Sequence, residues 1–133
     1  MADRVKSISE RCYCFRASAQ SITANKNTAK KAAVWSFHYP GQIKAVAQRV
    51  KQRAPQGVLA WLDQAVRYEV NQFALRYLHL PEQEKPKYYQ AMHSEKEWYG
   101  RFKKYLSKKN KMIYHASALG ETAFCKAAMA LAK

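Results

Sequence analysis

The chain has 133 residues, of which 48% are hydrophobic and 13% aromatic, so one domain with a packed core is expected. Its four Gly and four Pro are too few for a disordered chain or a turn-rich β-fold. The 24 Lys and Arg against nine Asp and Glu give a net charge of +15, which favours a polyanionic partner, nucleic acid above all.

The N-terminal sequence has charges throughout and lacks the apolar run of a secretory signal, and no stretch of the chain is apolar enough for a membrane span. We therefore expect a cytoplasmic protein, nuclear if eukaryotic, with no membrane partner. The three cysteines, Cys12, Cys14 and Cys125, do not predict a disulfide framework. On a helix the first two would point to opposite sides, so no metal site and no cofactor are predicted.

The first predicted helix spans 3–24, because apolar residues recur there at spacings of three and four. This stripe favours packing within the domain, and self-association of two copies through the helix is the alternative. A short second helix is predicted to begin at Asn27 or Thr28 and to end near Phe37, before a turn at Pro40 and Gly41. The stripe of the first helix is Val5, Ile8, Cys12, Phe15, Ala19 and Ile22.

The next two predicted helices are joined by a short Pro- and Gly-containing segment at 54–57. In the fourth helix, 58–78, apolar residues cover so much of the circumference that neighbours are expected on more than one side. The third helix should bury Ile43, Val46, Ala47 and Val50, and the fourth Leu59, Leu62, Val66, Val70, Phe73 and Tyr77, with Trp61, Ala65, Tyr68 and Leu75 widening its apolar arc.

The C-terminal part is predicted to be helical after the main loop, 79–86, which is the one place for a domain boundary. Ser94 to Glu97 matches a capping box and predicts a helix start, and 112–132 predicts one helix interrupted near Gly120, or two short ones. The whole chain, 1–133, is therefore expected to be a single all-α domain of about five to seven helices without a substantial sheet. Trp98, Phe102 and Tyr105 should form the buried stripe of the helix that follows the box.

Two basic clusters are the candidate nucleic-acid-binding sites, because cations neutralise phosphates and tyrosine rings can stack on exposed bases. Acidic residues are absent from 11–62 and from 98–120, so the basic residues there have few ion-pair partners nearby in the sequence. The first cluster is Arg101, Lys103, Lys104, Lys108, Lys109 and Lys111, with Tyr99, Tyr105 and Tyr114 interleaved, although Tyr105 is expected in the core. The second is Lys26, Lys30, Lys31, Lys44, Arg49, Lys51 and Arg53.

These features favour a non-catalytic protein that contacts the phosphate backbone of RNA or DNA with little sequence specificity, as an accessory subunit of a nucleoprotein complex with other protein subunits. A helix-turn-helix is disfavoured, because its reading helix would open with apolar Val58, Leu59 and Trp61. No clustered carboxylates, histidine pair or Gly-rich phosphate loop predicts catalysis. The alternative is an inhibitor or adaptor whose basic face docks on an acidic protein.

Overall fold

The computed structural model describes residues 28–132, and these residues are helical, with no strand among them. The predicted all-α fold is confirmed for this part of the chain. The first predicted helix, with Cys12 and Cys14, and Lys26 of the second basic cluster lie outside the described residues.

Eight α-helical segments follow one another along the described chain, with short connections between them. Turns of 3₁₀ helix lie at Glu82–Glu84, Lys103–Tyr105 and Ser117–Leu119. The helices are α1 (Thr28–Ala33), α2 (Tyr39–Val50), α3 (Gln56–Val70), α4 (Phe73–Leu78), α5 (Lys85–Ser94), α6 (Lys96–Phe102), α7 (Lys108–Ala116) and α8 (Glu121–Leu131).

The turn predicted at Pro40 and Gly41 is wrong. A π-helical segment, Val34–His38, joins α1 directly to α2. Pro40 lies in the first turn of α2, where the amide that proline lacks would have no helical partner and the fixed φ suits the helix. Residues 28–50 therefore form one continuous helical run.

The predicted helix 58–78 is two helices, because the chain turns at Asn71 and Gln72 between α3 and α4. The turn brings Arg76 of α4 back to Glu69 of α3, and these side chains form a largely buried ion pair. The Arg76 Nη1 also donates to Ser36 Oγ at 3.3 Å, and the Tyr88 hydroxyl lies 2.8 Å from the same oxygen. This polar cluster fastens α3 and α4 to the π-helical segment and α5.

The core is rich in aromatic rings, and Phe73 is at its centre. Its ring lies 5.5 Å from Trp98, edge to face, and 6.1 Å from Phe124, stacked. α1 packs on α5, α2 on α3, and α8 on both α4 and α7. The predicted buried stripe is confirmed, because Trp98, Phe102 and Tyr105 are all buried.

Both predicted helix boundaries in this part of the chain are confirmed, but the capping box is not. A helix, α6, begins at Lys96, within two residues of the predicted start. The cap itself is wrong, because α5 continues through Ser94, whose hydroxyl donates to the Ala91 carbonyl at 2.8 Å instead of capping α6. The break near Gly120 is confirmed, since this residue has a φ of 109° between α7 and α8. That backbone conformation is accessible to glycine and costly for a residue with a Cβ.

Candidate nucleic-acid interface

One lysine from each basic cluster lies at the ring of Tyr105. Lys104 follows α6 in the 3₁₀ turn, and its Nζ lies 4.9 Å from the centroid of the Tyr105 ring. Lys44 approaches from α2, with its Nζ 5.9 Å from the same centroid and 5.7 Å from that of Phe102. Lys103 lies with its Nζ 5.6 Å from the Tyr99 ring. Ammonium groups at these distances are held over the rings by cation–π attraction.

A groove beside Tyr105 continues this basic region along the α2–α3 hairpin. It has a volume of about 290 Å³. Lys44 and Gln48 of α2 and Lys51, just after that helix, form its polar edge, and Asp63 of α3 is its one acid. Asp63 also has a cationic neighbour, Arg67, at 3.9 Å. We call this region, with Lys103 and Lys104, the Tyr105 groove; its other lining residues are Ala47, Leu59, Leu62 and Val66.

Asn71 fixes the lysine-bearing turn against the end of α3. Its Nδ2 donates to the Tyr105 carbonyl at 2.8 Å, and its Oδ1 accepts from the Ser107 amide at 2.9 Å and from the Asn110 Nδ2 at 2.7 Å. Ser107 in turn caps α7, because its Oγ accepts from the Asn110 amide at 3.1 Å. The break between α3 and α4 thus positions both the 103–105 turn and the first turn of α7.

Three lysines of this region form no ion pair with an acidic side chain of the described residues. Within residues 28–132, no carboxylate lies within 4.0 Å of the ammonium groups of Lys44, Lys103 or Lys104. Their charge is therefore available to an external anion. Ion pairs between described side chains include His38–Glu95, Arg67–Asp63, Arg76–Glu69, Lys85–Glu82 and Lys87–Glu84.

The lysines of α7 lie at the wrong end of their helix for its dipole. Lys108, Lys109 and Lys111 occupy the first turn, where positive side chains are disfavoured by a few tenths to about 1 kcal/mol each. An anion bound at this end would offset that repulsion. Asn71 binds Ser107 and Asn110 at the start of α7, so this end of α7, with its lysines, is held next to the 103–105 turn.

The other predicted basic residues lie elsewhere, so the second cluster does not form one surface. Lys30 and Lys31 belong to α1, whose first turn is bound to the 3₁₀ turn before α5, because the Ala29 amide donates to the Glu84 carboxylate at 3.3 Å. Arg101 lines a cavity of about 450 Å³ together with Glu95 and Glu97, and those acids oppose a bound phosphate. Arg49 and Arg53 are exposed; at 100° per residue, Arg49 lies on the opposite side of α2 from Lys44 and Lys51.

The interleaved tyrosines are engaged within the protein. Tyr105 is only 8% exposed, as the sequence predicted. Tyr99 stacks on Tyr114 with ring centroids 4.1 Å apart and planes 6° from parallel, and its hydroxyl lies 2.8 Å from the His115 Nε2. Burial raises the pKa of Tyr114 above its usual value. These rings therefore make their contacts with lysines and with other side chains of the protein.

Two aromatic residues of α3 that the sequence assigned to a covered arc are on the surface. Trp61 is 64% exposed and Tyr68 is 62% exposed. The buried residues of α3 are Leu62, Val66 and Val70, and both rings lie about 100° or more around the helix from that line. Measured on a helical wheel from the centre of that buried line, Trp61 lies about 140° away and Tyr68 about 160° away, on the side of α3 opposite the core.

The chain matches no protein-family model, no curated protein and no solved structure. Any function must therefore be argued from the residues themselves. In the described part, no helix is long and apolar enough to cross a membrane. Nor do three or more His, Cys, Asp or Glu side chains among residues 28–132 come together as metal ligands.

Proposed function

We propose that this protein is a non-catalytic accessory subunit of a nucleoprotein complex and binds the phosphate backbone of nucleic acid at the Tyr105 groove. The observation that carries the proposal is the convergence of Lys44 and Lys104 on the Tyr105 ring. These two lysines come from separate segments of the chain and have no acidic partner among the described residues, and Lys103 adds a third unpaired charge beside Lys104. Such charges contribute to affinity without reading base sequence.

The way in which the lysines are held supports a binding role. A flexible lysine loses side-chain entropy when it is fixed on a ligand. The rings of Phe102 and Tyr105 already restrict Lys44, and the Tyr105 ring restricts Lys104. Part of that entropy is therefore lost on folding, which lowers the cost of immobilising the two ammonium groups on phosphates.

The test compares two double variants that remove the same charge. Lys44→Gln/Lys104→Gln removes charge at the groove, whereas Lys96→Gln/Lys126→Gln removes it from exposed positions on α6 and α8. Binding to labelled single- and double-stranded DNA and RNA is measured by fluorescence anisotropy at several salt concentrations. Each phosphate contact contributes a slope of about −0.9 on duplex or about −0.7 on single strands to the plot of log affinity against log salt.

We expect the groove variant to lose about 1.4 to 1.8 from the magnitude of that slope, one contact per lysine, and the control variant to lose much less. Equal losses in the two variants would contradict the assignment of the groove and leave only a general effect of net charge. If the unsubstituted protein binds none of the four nucleic acids near physiological salt, nucleic-acid binding is refuted, and docking on an acidic protein becomes the function to test.

A further inference from the structure

The side of α3 that points away from the core, which we call the α3 edge, presents two exposed aromatic rings, Trp61 and Tyr68. Trp61 and Tyr68 are seven residues apart, so they lie on one line along the helix, about 10 Å apart along its axis. Val58, also exposed, extends the line by one turn toward the start of α3. Large side chains exposed in a row on one helix face are typical of an interaction surface.

Two arginines of the α2–α3 hairpin are exposed on the same helices as these rings and the groove. Arg67 precedes Tyr68, about 100° around the helix. Among the described residues it pairs with Asp63, at 3.9 Å in an exposed position, where such a pair contributes little and exchanges readily. Arg49 is exposed and points away from the residues of α2 that line the Tyr105 groove. A hairpin that carries both exposed rings and exposed guanidinium groups suits a ligand that alternates flat aromatic groups with negative charges.

Further cations lie in the turn that connects the groove to the helix with the rings. The turn between α2 and α3 carries Lys51 and Arg53, both exposed. Lys51 lines the groove, and α3 begins at Gln56, five residues before Trp61. A polyanionic strand in the groove can therefore also contact cations of the turn that leads into α3.

We infer that the α3 edge stacks unpaired bases on Trp61 and Tyr68, so that the ligand is single-stranded nucleic acid. The inference rests on the proposed function, because the strand whose bases stack on the rings is the one whose phosphates bind in the groove. In a duplex the base faces are covered by their neighbours, and flat rings on a helix surface gain nothing from them. In a single strand each base has a free face, and base–aromatic stacking is strong and tolerant of sequence.

The experiment separates bases from phosphates by using two strands of equal charge. Anisotropy is measured with a thymidine oligonucleotide of about 12 nucleotides, a length in the range of known single-strand sites, and with an abasic strand of the same length. The variants are Trp61→Ala/Tyr68→Ala, the conservative Trp61→Phe, and Leu119→Ala, which removes an exposed apolar side chain away from α3. Circular dichroism and sedimentation check the fold and oligomeric state of each variant.

We expect the unsubstituted protein to bind the thymidine strand about 100-fold more tightly than the abasic strand, about tenfold for each ring. The Trp61→Ala/Tyr68→Ala variant should bind both strands alike, with an unchanged salt slope. Trp61→Phe should keep most of the preference and Leu119→Ala all of it. The Trp61 fluorescence should be quenched by the thymidine strand and much less by the abasic one.

Different results would refute base stacking at the rings and phosphate binding at the groove. Equal affinity of the unsubstituted protein for both strands would refute base stacking and leave phosphate binding intact. Binding to neither strand would refute the single-strand inference, while binding to duplex DNA or RNA in the assay of the proposed function would still support phosphate binding at the groove. If the double variant keeps the base preference, or changes from a self-associated form to a monomer, the rings do not serve unpaired bases, and in the second case they form a contact between copies of the chain.

Discussion

Replacing Asn71 by Ala should destabilise the protein more than its partly exposed position suggests. Its side chain makes four hydrogen bonds, to the Arg67 and Tyr105 carbonyls, the Ser107 amide and the Asn110 Nδ2, at 2.7–2.9 Å. At about 0.5–1.5 kcal/mol each, the four bonds amount to about 2–6 kcal/mol. Water can replace some of them, and Ala raises the helix propensity of the turn by about 0.5 kcal/mol, so we expect a net loss of about 2–3 kcal/mol.

The assay is urea unfolding followed by circular dichroism, and the matched control is Gln72→Ala in the same turn. We expect the Asn71→Ala variant to show a lower transition midpoint with little change in m-value, while the control changes stability by less than about 0.5 kcal/mol. Because the 103–105 turn is released as well, phosphate binding should weaken. A stability loss below about 1 kcal/mol for Asn71→Ala would refute the idea that this residue holds α3, the turn and α7 together.

Three further outcomes follow from the core and its polar groups. Phe124→Ala should cost about 3–5 kcal/mol in urea unfolding, because the ring is fully buried, whereas the exposed Leu119→Ala should cost less than about 0.5 kcal/mol; similar losses would contradict the packing. Arg76→Met should cost about 2–3 kcal/mol, since it leaves the Glu69 carboxylate largely buried without its partner, and a neutral effect would argue against that pair. Burial raises the pKa of Tyr88 above its usual value, and a phenol with a raised folded-state pKa gives stability that is full below about pH 10, its unfolded value, and is lost as the pH rises further. Thermal melts between pH 8 and 12 should show this loss, and a Tyr88→Phe variant that loses stability equally with pH would assign it to other groups.

Helix content and most of the core could be predicted because they depend on local periodicity. Trp98, Phe102 and Phe124 lie on predicted apolar faces and are buried as expected, whereas the prediction that Val46 lies on the buried face of the third helix is wrong because Val46 is 48% exposed. The break between α3 and α4 could not be predicted, because the apolar spacing continues through Asn71 without interruption. The turn forms there because Asn71 has hydrogen-bond partners 34–39 residues away, and such distant partners cannot be identified from the local sequence.

The basic residues show the same limit. Their number and lack of acidic neighbours along the sequence are visible in the chain, but their grouping depends on how helices pack. Lys44 was assigned with Lys30 and Lys31, yet it lies against Phe102 and Tyr105, while α1 packs on α5. Adjacency in sequence predicted the wrong neighbours, because the helical run from α1 to α2 carries these lysines to different parts of the bundle.

The central claim is that the lysines at Tyr105 contact nucleic-acid phosphates, and lysine acetylation footprinting tests it without any substitution. The protein is briefly acetylated with and without a saturating thymidine oligonucleotide, and the modification of each lysine is quantified by mass spectrometry. The account predicts strong protection of Lys44, Lys103 and Lys104, and little protection of Lys96 and Lys126, which are exposed elsewhere. Uniform protection of all five lysines, or protection confined to Lys96 and Lys126, would contradict it.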